Sequence, residues 1–377
     1  MLARRQAKDF ATRGLAQTAR LGLDGLAVRV DLLKVAATSA AMDAEHQVAL
    51  EANAEDAVRA ARDAGRPDIV AQALYALSFL RSARGDFEGT REVTLGAAEA
   101  SRAASPAESV PVIANTAFCL ALIERELPKA CALLDEAAES ARIHRLSVID
   151  IDLGDGYLAH IEGDLVRAKH ALERALGLAR VRADAWRQSM ALIRLAMIEL
   201  ESHAWDGARA RAAELRLAAT KLGEGSEGAI ADAFDALAME GAGEADGTTR
   251  IAAAVEALAQ ADAKAMLAYV LTVAAEMAGE RGAFTDASRL AQRALEAAQP
   301  LGKPSASVLA HAALGRAALG AGDPASARSH LDAGRALIDH PYGVTRRSRE
   351  ALDGLADLSN GNTNAVAHAG GARKRRR

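Results

Sequence analysis

Small residues recur along most of the chain at a nearly constant spacing. They stand at Thr90, Ala130, Ala168, Ala208, Thr248, Ala287 and Ala327, and are separated by 38 to 40 residues. The ends of predicted helices recur in step with them, as in ARDAG from 61, ARIH from 141 and AQPLG from 298. A period near 40 residues that persists over most of a chain is typical of repeat architectures, in which each repeat packs mainly on its neighbours.

Each period predicts two amphipathic helices and a short turn. The turns are RGDF (84–87), REL (125–127), EGDL (162–165), HAW (203–205), RGAF (281–284) and AGDP (321–324). Gly in such a turn allows a left-handed helix exit, and Asp caps the next helix. No strand-length alternation of apolar and polar residues appears, and only eight prolines occur in 377 residues. The sequence therefore predicts an all-α fold, an α-α superhelix of about eight helix hairpins.

The segment 281–304 shows how these helices pack. It carries Ala287, Ala291 and Ala294 where a core helix usually carries Leu or Phe, and only 3% of the chain is aromatic. Such a helix buries little apolar area alone. It must therefore stack on neighbouring helices, where small side chains allow close approach and the core runs on from repeat to repeat.

The segment HAALGRAALGAGDPASARSHL, 311–331, resembles the tetratricopeptide repeat. It has Leu-Gly at 314–315, Ala318, Gly322 and Ala327 at the stations of that repeat, with Pro324 in the aromatic place. The resemblance covers roughly 1–358, although the family repeat is 34 residues long. The longer spacing looks like the arrays in the C-terminal halves of bacterial LuxR-type and adenylate-cyclase-type signalling ATPases. The weakest repeat is 229–264, a capping helix is expected at 344–358, and 359–377 is expected to be a disordered basic tail.

The resemblance also implies a binding surface, because the first helix of each hairpin in this family lines the concave side. The inward-facing positions of these first helices between residues 70 and 220 predict a groove for a peptide or helix. The groove is formed by Tyr75, Phe79, Asn115, Cys119, Tyr157, His160, Ile193 and Met197. Aromatic and Met side chains with isolated polar groups suit such a partner. The alternative is that some of these residues only pack helices together.

Other motifs give little support for catalysis or cofactors. GEGSEG at 223–228 has dinucleotide-type glycine spacing but follows a predicted helix, where that site needs a strand. DIDLGDG at 150–156 resembles a calcium loop but has Ile161 at the twelfth position, where a bidentate Glu is required. There is no Walker A motif and no HExxH. No enzyme activity, cofactor or metal is therefore expected.

The net charge and the C-terminal region of the chain indicate which partners to expect. The formal charge is −4, and no window approaches 18 uninterrupted apolar residues, so neither nucleic acid nor a membrane is expected as partner of the chain as a whole. The terminal ARKRRR could contact phosphates weakly. The region from 344 faintly resembles the opening of a LuxR-type helix-turn-helix, but a capping helix plus tail explains it better.

Two function classes remain. The first is a non-catalytic scaffold that binds a protein segment. The alternative is a sensor or effector module of a bacterial transcriptional regulator or cyclase, working with a partner ATPase or regulator and lacking its own ATPase and a complete DNA-binding domain. With only two cysteines and no apolar leader after MLARRQAKDF, a cytoplasmic protein is expected.

Overall fold

The computed structural model describes residues 10–11, 13–18, 21–38, 44–223, 225–340 and 343–361. Within these ranges every regular element is a helix, and no strand occurs. The N-terminal segment is described only in part. The basic run at 373–377 and most of the predicted tail lie outside the described residues.

The α-helices are numbered here in chain order. They are α1 (Leu26–Thr38), α2 (Ala44–Asp63), α3 (Pro67–Ala83), α4 (Phe87–Ser101), α5 (Pro106–Ile123), α6 (Leu127–His144), α7 (Ile149–Glu162), α8 (Leu165–Val181), α9 (Ala185–Glu201), α10 (Trp205–Leu222), α11 (Glu227–Ala242), α12 (Gly247–Gln260), α13 (Lys264–Glu280), α14 (Phe284–Ala298), α15 (Pro304–Gly320), α16 (Pro324–Ile338) and α17 (Arg346–Ser359). Short 3₁₀ turns lie at Gly22–Gly25 and Gln299–Leu301.

The helices α1 to α16 form eight successive pairs within the described ranges, and α17 follows them. The predicted fold class, an all-α array of about eight helical hairpins, is thus confirmed. The chain divides into two compact units. The first comprises the described residues up to 160 and those at 164–238; the second comprises 161–163 and the described residues from 239 onward. The segment 229–264, predicted as the weakest repeat, contains most of α11, the whole of α12 and the turn between them.

The turns inside the hairpins follow the expected chemistry. Gly85 and Gly322 adopt positive φ angles of 77° and 81°, which glycine tolerates because it has no Cβ. The next residue caps the following helix: Asp86 accepts a hydrogen bond from the Gly89 amide and Asp323 accepts one from the Ser326 amide. The HAW turn has no glycine, and His203 takes the left-handed conformation there at φ 53°.

The recurring small residues lie at helix–helix contacts, as predicted. Ala130, Ala168, Ala208 and Ala327 have no solvent-exposed surface. The prediction is wrong at Thr248, which is exposed. The buried small residue there is Gly247, where a Cβ would lie 2.6 Å from the Glu240 Cα. The helix α12 begins only at Gly247, so Thr248 is its second residue, whereas Ala208 is the fourth residue of α10.

Two helices bear on earlier expectations. The helix α17 occupies most of the segment predicted as a cap, and its Leu352 and Leu355 are buried with Val308 and Leu331.

The helix α5 is, within the described residues, long and apolar enough to cross a membrane, and 67% of this stretch is buried inside the protein. A membrane-sized apolar helix was not expected from the sequence.

Candidate functional site

The predicted groove residues lie on the first helices of four consecutive hairpins in the first unit: α3, α5, α7 and α9. We call the side of these helices that carries them the inner face. Tyr75 and Phe79 are one helical turn apart on α3, and both are half-buried. Their rings meet edge to face, with centroids 5.0 Å apart. Of the other predicted residues, only His160 is also half-buried.

Trp186, at the start of α9, joins the inner face although the sequence analysis did not select it. Its ring lies 4.9 Å from that of Phe79 and 6.0 Å from that of Phe118, both edge to face. Phe118 in turn contacts Tyr157 at 5.0 Å. Five aromatic rings from four helices therefore form one continuous row. Spacing in the sequence could have identified Trp186, because it precedes Ile193 by seven residues. Seven residues are about two helical turns, so both side chains lie on the same side of α9.

A buried ion pair lies beside this aromatic row. The guanidinium of Arg187 donates to both carboxylate oxygens of Asp150, at 2.7 and 2.6 Å, and Asp150 is only 2% exposed. Arg187 also donates to Asp184 at 2.8 Å. Burial alone would lower the pKa of Arg187, but the neighbouring Asp150 carboxylate raises it, so the guanidinium stays charged. The apparent calcium loop at 150–156 is instead part of helix α7.

The ion pair reaches Tyr75 across the inner face. Arg187 Nη2 donates to the Tyr75 hydroxyl at 3.2 Å. Burial raises the pKa of this phenol, so it is neutral at physiological pH and keeps its own hydrogen. Among the described residues, none accepts a hydrogen bond from this hydroxyl.

Asn115 and Cys119 lie one turn apart on α5 and are both buried. The Asn115 amide donates to the Cys119 sulfur at 3.4 Å, while its buried Oδ1 has no hydrogen-bond partner within the described residues. Burial raises the pKa of the Cys119 thiol to about 12. A thiol that holds its proton so firmly is a poor nucleophile at neutral pH.

Tyr157 and His160 on α7 take part in a second polar cluster with α9. The Tyr157 hydroxyl donates to the Met190 carbonyl at 3.1 Å, and the Arg194 guanidinium stacks 3.9 Å from the centre of the Tyr157 ring. Arg194 also contacts His160 Nδ1 at 3.1 Å, while His160 Nε2 lies 2.8 Å from Glu201. Because arginine only donates, Nδ1 is an acceptor and the His160 proton on Nε2 faces Glu201.

Ile193 and Met197, the last two predicted residues, are 6% and 8% exposed. Five of the eight predicted residues are thus buried. Tyr75, Phe79 and His160 are half-buried, although the His160 side chain is only 8% exposed. The structure brings the set together as a packed layer. That these residues contact a partner stays a prediction.

The arrangement offers binding chemistry more readily than bond-making chemistry. The buried thiol is protonated, and the charged side chains are tied to one another. Among the described residues, no group of three or more His, Cys, Asp or Glu side chains is placed to hold a metal ion. The inner face presents the half-buried rings of Tyr75, Phe79 and Trp186, while the unsatisfied Asn115 Oδ1 is buried.

Comparisons with known proteins return likenesses to solved structures but no match by sequence. No family model matches the sequence. No curated protein matches it either. A solved structure with a similar arrangement is a Signal Transduction ATPase with Numerous Domains (STAND) protein with a tetratricopeptide repeat sensor from Pyrococcus horikoshii, with 13% identity and a TM-score of 0.47. The match covers 94% of this chain and 55% of that protein. The chain therefore spans about half the length of that ATPase, and at this level of likeness no function carries over from it.

Proposed function

We propose that this chain is a non-catalytic protein-interaction module that binds a helix or extended peptide on the inner face of its first unit. The observation that supports this most is the half-buried aromatic group Tyr75, Phe79 and Trp186, the first two of which were predicted as partner contacts. Aromatic side chains that keep part of their surface in solvent are favoured as binding anchors, because they bury much area and lose few rotamers. This chain has only 12 aromatics, and three lie here.

The surrounding polar groups fit a polypeptide partner. The Tyr75 hydroxyl hydrogen can meet a backbone carbonyl. Beside it, the buried ion pair of Arg187 and Asp150 holds the hydroxyl oxygen in place. Because Phe79 and Trp186 are already in contact, a partner segment either lies over their outer edges or separates the two rings.

The experiment is photo-crosslinking of the full-length chain in its host cell. A photoreactive phenylalanine analogue at position 79 is compared with the same analogue at position 166. Val166 is 83% exposed on α8 and serves as a matched control on another surface. We expect a defined adduct from position 79 and none of the same mass from position 166.

The double variant Tyr75→Ala, Phe79→Ala should then lower recovery of that partner about tenfold or more, since two anchors are lost. Leu217→Ala, which removes a 66% exposed apolar side chain from α10, should leave recovery unchanged. Circular dichroism of each variant should match the parent. Equal adducts from both positions, or unchanged recovery with the double variant, would contradict the proposal; a collapsed melting curve would assign the two residues to the core.

A further inference from the structure

Two histidines face each other inside a hairpin of the second unit. His311 lies on α15 and His330 on α16, and both are half-buried. Their Nδ1 atoms are 3.3 Å apart, and the ring centroids are 5.6 Å apart. The difference between these two distances is about twice the distance from a ring centre to a ring nitrogen. The two Nδ1 atoms therefore lie close to the line that joins the ring centres and face each other. Neither histidine is among the residues of the inner face described above.

Both imidazoles are suited to act as metal ligands. Burial lowers the pKa of His311, with a further contribution from His330, and burial also lowers that of His330. Neutral imidazole, which binds transition metals through a ring nitrogen, therefore predominates for both at neutral pH. Partial exposure leaves water and ions access to the pair.

The spacing of the nitrogens matches a tetrahedral edge. Two nitrogens bound to one ion at about 2.0–2.1 Å, with a tetrahedral angle between them, would lie about 3.3–3.4 Å apart. The observed separation of 3.3 Å needs no movement of the helices. Each ring would turn by roughly 35° to aim its lone pair at a shared ion, mainly about χ2, a torsion that is broad in histidine.

We propose that His311 and His330 together bind one late first-row divalent cation, such as Zn²⁺, Ni²⁺ or Cu²⁺, through their Nδ1 atoms. Among the described residues no third His, Cys, Asp or Glu completes a ligand set. Water fills the remaining coordination positions, so the site is open and exchanges its metal. Affinity should be highest for Cu²⁺, in keeping with the usual order of stability for nitrogen ligands.

The test is calorimetric titration of the full-length protein with NiCl₂ and CuCl₂ at neutral pH. We expect one ion per chain at this site and tighter binding of Cu²⁺. His311→Asn and His330→Asn should each weaken binding by about tenfold or more, since one of two ligands is lost. His170→Asn, on α8 beside Arg174, is the matched control and should bind as the parent does.

A second measurement needs no variant. Substoichiometric Cu²⁺ should broaden the imidazole resonances of His311 and His330 before those of His170 or His203, because paramagnetic broadening falls steeply with distance from the ion. The proposal is overturned if no heat of binding is detected, if both variants bind like the parent, or if all histidine signals broaden together. In each of these cases the pair is only a nitrogen–nitrogen contact between helices, and the proposed peptide-binding role is unaffected.

Discussion

The Arg187 guanidinium on α9 donates to the Tyr75 hydroxyl on α3, although 112 residues separate the two in the chain. The contact joins the first helices of hairpins that are three repeats apart. Together with the edge-to-face contact of Phe79 and Trp186, it draws the inner face of the first unit into a packed layer. The Tyr75 hydroxyl and the rings of Phe79 and Trp186 thus make contacts within the protein in place of part of their contact with solvent.

Trp186→Ala should expose the layer beneath the aromatic row. Trp186 contacts both Phe79 and Phe118, and Cys119 lies next to Phe118 on α5. In a Cys131→Ser background, the rate of Cys119 modification by a thiol-specific disulfide reagent at pH 8 should rise by about tenfold or more. The parent should react slowly, because burial raises the pKa of this thiol to about 12 and little thiolate exists at that pH.

The matched control is Trp205→Ala. Trp205 lies at the start of α10, with its ring 5.0 Å from that of His203. This variant should leave the Cys119 rate unchanged. If both tryptophan variants accelerate modification equally, the effect is general loosening and Trp186 does not cover the thiol.

Gly315→Leu should destabilise the second unit. A Cβ at Gly315 would lie 2.4 Å from a terminal methyl carbon of Leu355, so α15 and α17 approach closely at this point. Overpacking of this kind costs about 1–3 kcal/mol of the free energy of unfolding. Gly177→Leu is the control, because a Cβ there meets nothing within 4 Å and Gly177 lies inside helix α8. Denaturant unfolding should show a loss for the first variant and no loss for the second.

Removing one member of the buried ion pair should cost more than removing both. Arg187→Met leaves the Asp150 carboxylate buried without its main partner, which destabilises a protein by about 3–5 kcal/mol. Asp150→Asn combined with Arg187→Met should cost less than Arg187→Met alone, because no uncompensated buried carboxylate is left. Urea unfolding of the parent, the two single variants and the double variant gives the coupling energy. Strict additivity would show that the pair is solvated in solution. Glu139→Gln, which breaks an exposed pair with Arg142, should leave stability unchanged.

Mg²⁺–ATP should not change the melting temperature. The chain lacks a Walker A motif, and its glycine-rich segment at 223–228 joins two helices, α10 and α11. The measurement is thermal unfolding followed by circular dichroism, with and without millimolar nucleotide. A rise in melting temperature that depends on ATP would favour the alternative of a sensor module in a signalling ATPase system over the scaffold.

The sequence predicted local structure well because hairpins are specified locally. Gly85 and Asp86 determine their turn by backbone conformation and capping, and a period near 40 places the next turn in step. The prediction of a buried small residue failed at Thr248, which is the second residue of α12, whereas Ala208 is the fourth residue of α10. A prediction that assumes a constant period cannot detect such a shift.

The inner face was harder to predict. Repeat stations placed Tyr75 and Phe79 correctly on one side of α3, but they gave no indication that Trp186 would cover part of that side. Contact between α3 and α9 joins hairpins that are three repeats apart, and no single repeat encodes it. For the same reason Asn115 and Tyr157, expected at a surface, are buried.

The alanines at the helix contacts determine how this array responds to change. Ordering an alanine costs no side-chain rotamer entropy, so each contact such as that of Ala168 or Ala208 forms without that penalty. A methyl group, however, has no alternative conformation with which to accommodate a larger neighbour. Exposed helix surfaces should therefore tolerate substitution, while a larger residue at one of these contacts must push the two helices apart.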